Sequence, residues 1–387
     1  MDKNKVFFLG CLSDFLNERA TQPQSDINWE AVFGYAGKHQ MINIIEHQCG
    51  SFMSTIAAEN FKKAGKAALF YRMRIENTIA VLKETCENLG IEYAFLKGPV
   101  VAKLYSVPEY RSMGDVDLAV KTEDRPKVLE ALLQKGFENK SQNDEHEWVF
   151  RYNGVELELH DKLIYKEVFN DEKQDEFLNN MWGYVKDGKM DESFHFIYLL
   201  HHLKKHLTSQ GAGFRQFMDI ACVLKKCENL NKKWIFEKLK ELNLFDFADM
   251  CFALCNRWFD TDFEASEIDD GFFEDATEKI FENGVFGFSN SDNRFNMAVN
   301  RENAGTSRIS AVISNIFPGY RAMAAMEQYS FLRNRPYLLP IAWIYRVFWG
   351  IKNGQRKRFG SKIDAMFVPK DKLDARKEEL KKWKLDK

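Results

Sequence analysis

Residues 111–120 read RSMGDVDLAV, and this short stretch decides which fold and which kind of site the chain forms. Asp115 and Asp117 stand two residues apart at the head of an apolar run that favours a β-strand. Side chains two apart on a strand project from the same face, so we expect the two carboxylates to lie close together. Neighbouring carboxylates repel each other unless a cation lies between them, and hard divalent cations prefer oxygen ligands. The pattern indicates a metal site; a polar turn before an ordinary strand is the alternative.

The residues just before this stretch favour binding of phosphate. Residues 93–105 read YAFLKGPVVAKLY, which predicts a short strand, a turn at Lys97 and Gly98, and a helix with Pro99 in its first turn. The free backbone N–H groups at a helix N-terminus bind phosphate, and Lys97 adds a positive charge there. Gly114 lets the chain turn tightly onto the strand that carries the two acids.

A third carboxylate is expected on a neighbouring strand. Residues 147–160 hold two β-prone segments separated by Asn-Gly, the strongest short signal for a hairpin. A two-residue turn places Glu158 opposite Val149, where its carboxylate stays free for a cation. The same register places Glu156 opposite Arg151, which neutralises it. We therefore expect Glu158, and not Glu156, to be the third metal ligand.

Three motifs in this order resemble a known family. They are Phe-Leu-Lys-Gly at residues 95–98, Tyr-x-x-Pro-x-x-Arg-x-x-Gly-Asp-Val-Asp-Leu at residues 105–118 and Glu-Leu-Glu-Leu-His at residues 156–160. The order is similar to that of the uncharacterised bacterial nucleotidyltransferases of the DNA polymerase beta superfamily. The resemblance implies that Asp115, Asp117 and Glu158 are catalytic and hold two Mg²⁺ (or Mn²⁺) ions at a nucleoside triphosphate such as ATP.

Further residues are expected to contact the nucleotide and its phosphates. They are Lys97, Gly98, Arg111, Gly114 and Arg215. The chain departs from the pattern that the superfamily implies where Lys97-Gly98-Pro99 replaces the usual Gly-Ser, so the serine contact to phosphate is missing. This departure leaves two interpretations open, an active enzyme and a binding protein that keeps the fold.

A helical region from about residue 190 is expected to close the nucleotide site from a second domain. His202 and His206 lie one helical turn apart, which suits a zinc pair, but no Glu follows the first His as metalloproteases need. The family has a similar His-x-x-x-His and Arg-Gln-x-x-Asp pattern, so we expect both His residues and Asp219 to contact the site. Arg215 is the best candidate for a phosphate contact, because its planar fork matches phosphate oxygens. Asp219, four residues later, either orients Arg215 or forms an internal helix pair with it.

The composition of the whole chain is that of an ordinary globular protein. Its 387 residues, 45% hydrophobic and 29% charged, suffice for two or three domains with a sizeable core. The net charge of −2 gives no general attraction to nucleic acid, so we expect no nucleic acid partner. Seven scattered cysteines without Cys-x-x-Cys, and an N-terminus too weak for a signal peptide, predict a cytoplasmic protein. The absence of Gly-x-Gly-x-x-Gly argues against a dinucleotide-binding domain.

We predict an α/β (α+β) fold, in which a small mixed-sheet nucleotidyltransferase core is embedded in a largely helical chain. The predicted parts are an N-terminal helical region at 1–75, the catalytic core at 76–170, a helical domain that closes the site at 190–260, an acidic and polar connecting segment at 261–303, and a C-terminal helical region with a basic tail at 304–387. Residues 260–282 carry ten acids and one Lys, which predicts a solvated surface segment or loop.

The C-terminal region has two candidate roles. Residues 336–350 are strongly apolar and aromatic but too short to span a bilayer. Residues 351–387 then carry thirteen basic and six acidic side chains. An aromatic helix followed by a basic tail is typical of peripheral contact with an anionic membrane, here through residues 337–387. The family has a similar ending, and packing against the catalytic domain is the interpretation we favour.

The sequence therefore predicts a metal-dependent nucleotidyltransferase. It would move a nucleoside monophosphate from a nucleoside triphosphate to a hydroxyl acceptor and release pyrophosphate. The acceptor would be a sugar, an antibiotic-like small molecule or a protein side chain. The alternative is a non-catalytic nucleotide-binding or membrane-peripheral scaffold protein that keeps the fold. The missing serine favours the scaffold, and the retained acids favour the enzyme.

Overall fold

The structure is a computed structural model of the 387-residue chain. It describes residues 1–142, 147–165, 171–209, 211–285, 287, 319–320, 323, 327–332, 335–352 and 370–385. Contacts divide the chain into two compact units, Met1–Gly287 and Phe288–Asp386. The five-part division expected from the sequence is finer than this, and it stays a prediction.

Helices of the first unit precede and follow a central sheet in the sequence. Those before the sheet are α1 (Lys3–Leu16), α2 (Trp29–Lys38), α3 (Ile42–Cys49) and α4 (Thr55–Leu89). Those between its strands are α5 (Gly98–Val101) and α6 (Arg125–Gln134). Those after it are α7 (Glu172–Asn179), α8 (Glu192–Ser209), α9 (Phe214–Lys226), α10 (Lys232–Glu241), α11 (Phe245–Phe259) and α12 (Asp270–Asn283). Short 3-10 helices occur at Ala102–Leu104, Pro108–Tyr110, Thr122–Asp124 and Met181–Tyr184.

The long helix α4 leads directly into the sheet. It begins where the hydroxyl of Ser54 accepts a hydrogen bond from the backbone N–H of Ala57 at 3.4 Å. It ends at Gly90, whose left-handed backbone (φ 64°) stops the helix just before the first strand.

The main sheet has five strands in the spatial order β1-β2-β5-β4-β3. The strands are β1 (Tyr93–Phe95), β2 (Asp115–Val120), β3 (Glu138–Ser141), β4 (Trp148–Tyr152) and β5 (Val155–His160). The pair of β2 and β5 is parallel and the other pairs are antiparallel, so the sheet is mixed. A separate small sheet joins β6 (Val185–Lys186) and β7 (Lys189–Met190). The predicted α+β, mostly helical fold is confirmed.

One face of the main sheet is buried under α4 and α6. Its core side chains on β2 and β5 are Val116, Leu118, Val120, Val155, Leu157 and Leu159. They pack against residues of the two helices, Ile75, Leu82, Cys86, Val128 and Leu132. Full burial of each large apolar side chain stabilises the fold by about 2 kcal/mol. Because strand side chains alternate between faces, the hydrophobic core forces Asp115, Asp117 and Glu158 onto the opposite face.

The β4–β5 hairpin has the register predicted from its Asn-Gly turn. The paired residues are Tyr152 with Val155, Arg151 with Glu156, Phe150 with Leu157 and Val149 with Glu158. Asn153 (φ 50°) and Gly154 (φ 77°) both adopt left-handed backbone, as a two-residue turn of type I′ requires. Glu156 is exposed and Glu158 is half-buried, so the two acids have different surroundings.

Residues 260–282 were predicted to be a solvated surface segment or loop, and the second half of this range is helix α12 instead of loop. This helix is capped by Asp269, whose side chain accepts the backbone N–H of Phe272 at 2.9 Å. Phe272 and Ile280 are buried on one face of α12. These two apolar residues are about two helical turns apart. Because many acidic residues lie between them, the sequence did not show a clear amphipathic helical pattern.

The second unit contains two described helices, α13 (Leu339–Lys352) and α14 (Lys370–Lys382), and 3-10 segments at Glu327–Leu332 and Pro336–Leu338. On α13, Ala342 is buried in a small cluster that includes Tyr329, whereas Ile341 and Ile344 are exposed. The polar loop expected at 289–303 lies outside the described residues. Membrane contact through 337–387, packing of this region and a cytoplasmic location stay predictions.

Among the described residues, we find no helix with both the length and the apolar character needed to cross a membrane.

The Asn-Gly turn gives a first prediction, since it sets the register that brings Glu158 to β2. Gly154→Ala should lower the free energy of unfolding by about 1 kcal/mol, because a Cβ strains left-handed backbone. That Cβ would also lie 3.0 Å from Nη1 of Arg74. Gly34→Ala in α2 is the control: outside its own helix, no described atom lies within 4 Å of the added Cβ. Ala is the better helix former, so this variant should be at least as stable as the wild type. Urea unfolding measures both changes, and equal effects would contradict the turn assignment.

Candidate active site

Acidic side chains from two parallel strands meet on the face of the sheet that α4 and α6 leave uncovered. Asp115 of β2 pairs with Glu156 of β5. Asp117 pairs with Glu158 in the same register. Because paired residues of neighbouring strands share a face, all four carboxylates project to the same side. His160 continues this row two residues after Glu158.

Asp117 makes the closest contacts within this row. Its Oδ1 lies 2.5 Å from Nζ of Lys97 and 3.1 Å from Nε2 of His160. The same nitrogen of His160 lies 3.5 Å from Oε2 of Glu158. Asp117, Glu158 and His160 place their ligand atoms within 4.8 Å of one another, the spacing of a metal site. Asp115 is not a member of that group of three.

These contacts shift the pKa values of the acids in opposite directions. Burial alone would raise the pKa of Asp117, but the Lys97 ammonium and the hydrogen bond from His160 hold it well below its usual range. Burial and the charge of Asp117 raise the pKa of Asp115 to about 6. Burial alone would lower the pKa of His160, but its hydrogen bonds to Asp117 and Glu158 raise it. The charge on Asp115 is therefore the one that a bound cation would stabilise most.

Lys97 reaches Asp117 from a strained turn between β1 and α5. Its backbone has φ 49° and ψ −112°, and such a conformation costs on the order of 1–3 kcal/mol in a residue other than Gly. The turn is held on both sides. The N–H of Leu96 donates to the carbonyl oxygen of Asp117 at 3.1 Å, and the N–H of Lys97 donates to Nε2 of His195 at 2.9 Å. Burial alone would lower the pKa of Lys97, but the charge of Asp117 raises it well above its usual value, so the ammonium stays charged.

The two predicted glycines lie in the loops beside Asp115 and Asp117, but only at Gly98 would an added Cβ meet neighbouring atoms of the described residues. A Cβ on Gly98 would lie 2.6 Å from Nη1 of Arg111 and 2.8 Å from Sδ of Met113, so a side chain there would displace one or both of these groups. The carbonyl oxygen of Gly114 accepts a hydrogen bond from the hydroxyl of Tyr71 at 2.8 Å, which anchors the loop before β2 to α4.

Arg111 and Asp219 form a buried ion pair that joins the loop before β2 to α9. Nε and Nη2 of Arg111 lie 3.2 and 2.7 Å from the two carboxylate oxygens of Asp219. The hydroxyl of Tyr105 donates to the same carboxylate at 2.8 Å. Asp219 therefore orients Arg111. This corrects the interpretation that it orients or pairs with Arg215, because the hydrogen bonds of its carboxylate go to Arg111 and Tyr105.

Arg215 lies near the start of α9 and has no carboxylate partner among the described residues. Its Nη1 donates to Oε1 of Gln40 at 2.5 Å and to the carbonyl oxygen of Ser112 at 3.1 Å. Its Nε is buried, and no described group accepts a hydrogen bond from it. Burial, together with the charge of the neighbouring Arg111, lowers the pKa of Arg215 to about 10. The side chain is still a cation at neutral pH, and its charge is available to an anion.

His202 and His206 face each other one turn apart on α8. Their Nε2 atoms lie 2.9 Å apart, so one ring donates a hydrogen bond to the other. Burial and the charge of Lys97 lower the pKa of His202 well below its usual value. The same two causes lower the pKa of His206 to about 4. Both rings are neutral at pH 7, and within the described part of the chain neither belongs to a metal cluster of three ligands.

All residues that the sequence assigned to the site line one cavity of about 350 Å³. They are Lys97, Gly98, Arg111, Gly114, Asp115, Asp117, Glu158, His202, His206, Arg215 and Asp219. The sheet contributes the acids, and α8 and α9 contribute the His pair and Arg215. A cavity that combines clustered carboxylates with a guanidinium free for an anion suits a polyphosphate carrying a divalent cation.

Sequence reasoning missed other residues that line this cavity, among them His160, Tyr198 and Gln40. His160 lines it, and its position two residues after Glu158 on the same strand face was the available signal. Tyr198 lines it from α8, where apolar neighbours make it indistinguishable from a core residue. Gln40 lines it as well, yet it lies 175 residues from its partner Arg215, and no local pattern connects such distant residues.

The donor atoms present fit a divalent metal ion. Asp117, Glu158 and His160 offer two carboxylates and one imidazole within a small volume. Asp115 adds a carboxylate whose pKa is raised by burial and by the charge of Asp117. A set dominated by carboxylate oxygens suits Mg²⁺ or Mn²⁺ better than softer metals.

Comparison with protein families identifies the class of this chain. The family described as "Uncharacterised nucleotidyltransferase" matches residues 25–260, more than half of the chain. The chain belongs to this family, which confirms the resemblance seen in the motifs around Asp115. The match includes the whole main sheet as well as α8 and α9, which supply the walls of the cavity. No curated protein and no solved structure matches the chain.

The charge on Asp115 leads to a prediction about stability. The folded pKa of about 6 lies above that of an exposed Asp, so the protonated carboxyl favours folding and this contribution is lost as the pH rises through 6. In EDTA near pH 4, Asp115→Asn should have the same free energy of unfolding as the wild type. At pH 8 the free energy of unfolding of the variant should be about 2 kcal/mol higher than that of the wild type. Mg²⁺ at pH 8 should then stabilise the wild type more than the variant.

Thermal unfolding at both pH values, with EDTA or Mg²⁺, measures these differences. Glu156→Gln is the control, because this exposed acid lies on the same face of the sheet. The stability of this variant relative to the wild type should not change with pH. An Asp115→Asn protein no more stable than the wild type at pH 8 would show that this carboxylate is not under electrostatic strain.

Proposed function

We propose that this protein is a metal-dependent nucleotidyltransferase that moves a nucleoside monophosphate from a nucleoside triphosphate to a hydroxyl acceptor. One observation carries the proposal: Asp115, Asp117 and Glu158 share a cavity with Arg215. Membership of a nucleotidyltransferase family supports the same kind of reaction. We expect the acceptor to be a sugar, an antibiotic-like small molecule or a protein side chain.

The reaction needs charge neutralisation and in-line positioning more than covalent help from the protein. The acceptor oxygen forms a bond to the α-phosphorus of the nucleotide. The bond from that phosphorus to the α,β-bridging oxygen breaks, and pyrophosphate leaves with the electron pair. The proton of the hydroxyl group is lost to solvent. Mg²⁺ or Mn²⁺ at Asp115, Asp117 and Glu158 would supply positive charge to the phosphate oxygens.

Arg215 is the residue that we assign to the phosphates. Its planar guanidinium matches phosphate geometry, and its buried Nε has no hydrogen-bond acceptor among the described residues. Arg111 and Lys97 are cations too, but each is paired with a carboxylate, Asp219 and Asp117 respectively. We therefore assign no direct phosphate contact to these two residues: Arg111 is paired with Asp219, and Lys97 is part of the acidic cluster.

The His pair of α8 contributes hydrogen bonds and not charge. His202 and His206 are neutral at pH 7 because both are buried near the Lys97 ammonium. Their mutual hydrogen bond holds both rings against the cavity. We assign them to contacts with the nucleotide or the acceptor from the wall that faces the sheet.

The alternative function is nucleotide binding without turnover. The feature that favours it is the Lys97-Gly98-Pro99 sequence, which lacks the serine that the resemblance to the superfamily implies for phosphate contact. Isothermal titration with ATP, GTP, CTP and UTP, with and without Mg²⁺, should be followed by a pyrophosphate assay with sugars, amino-sugar antibiotics and the protein itself as acceptors. Mg²⁺-dependent binding followed by pyrophosphate release supports the enzyme. Binding that never leads to release, whichever acceptor is offered, supports the alternative.

The two glutamates of β5 provide a matched pair for testing the third acid. Glu158→Gln should lower the rate of pyrophosphate release at least about 100-fold, as expected for loss of a metal ligand. Glu156→Gln should change the rate little, because this side chain is exposed and does not line the cavity. Mg²⁺-dependent nucleotide binding gives a second measurement on the same variants. The reverse ranking would identify Glu156 as the ligand.

The two arginines of the cavity should respond differently to truncation. Arg215→Ala should weaken nucleotide binding about tenfold or more, with little change in stability, because no carboxylate loses its partner. Arg111→Ala should lower the free energy of unfolding by about 3 kcal/mol, because it leaves Asp219 buried and unpaired. Titration calorimetry and urea unfolding of both variants measure the two effects. An Arg215→Ala protein that is unstable but binds nucleotide normally would show that Arg215 is structural.

A further inference from the structure

The inference begins with the two carboxylate oxygens of Asp117. Oδ1 accepts from Nζ of Lys97 at 2.5 Å and contacts Nε2 of His160 at 3.1 Å. A carboxylate oxygen has two lone pairs, so these two neighbours occupy both of them. Oδ2 forms no hydrogen bond within the described part of the chain. Asp117 therefore has one oxygen left for a metal ion, whereas bridging two ions in the usual way needs both.

Lys97 is held against Asp117 by the fold itself. Its side chain is only 15% exposed, so the pair is not an exposed surface contact. Its strained backbone persists only because the surrounding structure holds it, here through the hydrogen bonds from Leu96 to Asp117 and from Lys97 to His195. The hydroxyl of Tyr198 interacts with the same ammonium. These contacts make the ammonium a fixed part of the acidic cluster.

The fixed ammonium also changes the charge balance of the cluster. Asp115, Asp117 and Glu158 together bring three negative charges when ionised, and Lys97 already offsets one of them. One divalent cation offsets the other two. A second divalent cation would lie beside an ammonium that is held in place, and like charges at such short range repel.

We propose that Lys97 takes the place of one of the two metal ions, so that Asp115, Asp117 and Glu158 hold a single divalent cation. This inference rests on the proposed function and specifies how many ions that function uses. The ammonium then provides a permanent positive charge beside the phosphates, whatever the concentration of free metal. It also gives a role to the lysine that stands just before α5.

Counting bound Mn²⁺ tests the inference, because Mn²⁺ loses its solution EPR signal when a protein binds it. We expect one tight ion per wild-type chain, with Mn²⁺ alone and again with one equivalent of α,β-methylene-ATP. Lys97→Met, which removes the ammonium and keeps most of the side-chain length, should bind two ions. Lys103→Met is the control, because Lys103 is exposed and does not line the cavity. This variant should bind one ion.

Three results would overturn the inference: two tight ions in the wild type, none in the wild type, or a single ion in a folded Lys97→Met protein. Lys97→Gln keeps an N–H donor for Asp117 and is a second variant that should bind two ions. If neither variant folds, the count in the wild type decides. Pyrophosphate release by a protein with two ions would overturn only this inference. One tight ion in a protein that binds no nucleotide would overturn only the proposed function.

Discussion

The parallel pairing of β2 with β5 is the constraint on which the site depends. It places Asp117 directly beside Glu158, although the two residues are far apart in the sequence. The apolar residues that alternate with them pack under α4 and α6, so each strand has only one acceptable orientation. A shift of the pairing by one residue would bury the acids and expose the core. The stability of the sheet and the chemistry of the cavity are therefore set by one register.

The acids were predictable from the sequence because strand alternation is a local rule. Asp115 and Asp117 needed only a spacing of two residues, and Glu158 needed only the hairpin. The Asn153-Gly154 turn leaves a single register for the hairpin, and the structure has that register. Sequence reasoning therefore placed the acids correctly on their strands, because each placement depends only on residues a few positions away in the sequence. The mixed sheet within a helical chain followed from the same local signals.

Partners that meet only in three dimensions were not predictable. The helical spacing of four residues suggested that Asp219 pairs with Arg215. In the structure Asp219 pairs with Arg111, which is 108 residues away in the sequence. Lys97 was expected to contact phosphate. Nothing near it in the sequence showed that it would form an ion pair with Asp117. The helix α12 was missed for another reason, since its buried face is a minority of residues among many acids. Charge pairing and burial are properties of the assembled fold, and one sequence carries little direct information about them.

The contacts that close the cavity join distant parts of the chain, 175 residues apart for Gln40 and Arg215 and 108 for Arg111 and Asp219. The β4–β5 hairpin forms between neighbouring residues. The entropy cost of closing a loop grows with its length, and contacts of large sequence separation form slowly. During folding we therefore expect the hairpin to form early and the docking of α9 to come late. The enclosed pocket is the last part to be assembled, and only a completely folded chain offers Arg215 together with the acids to a nucleotide.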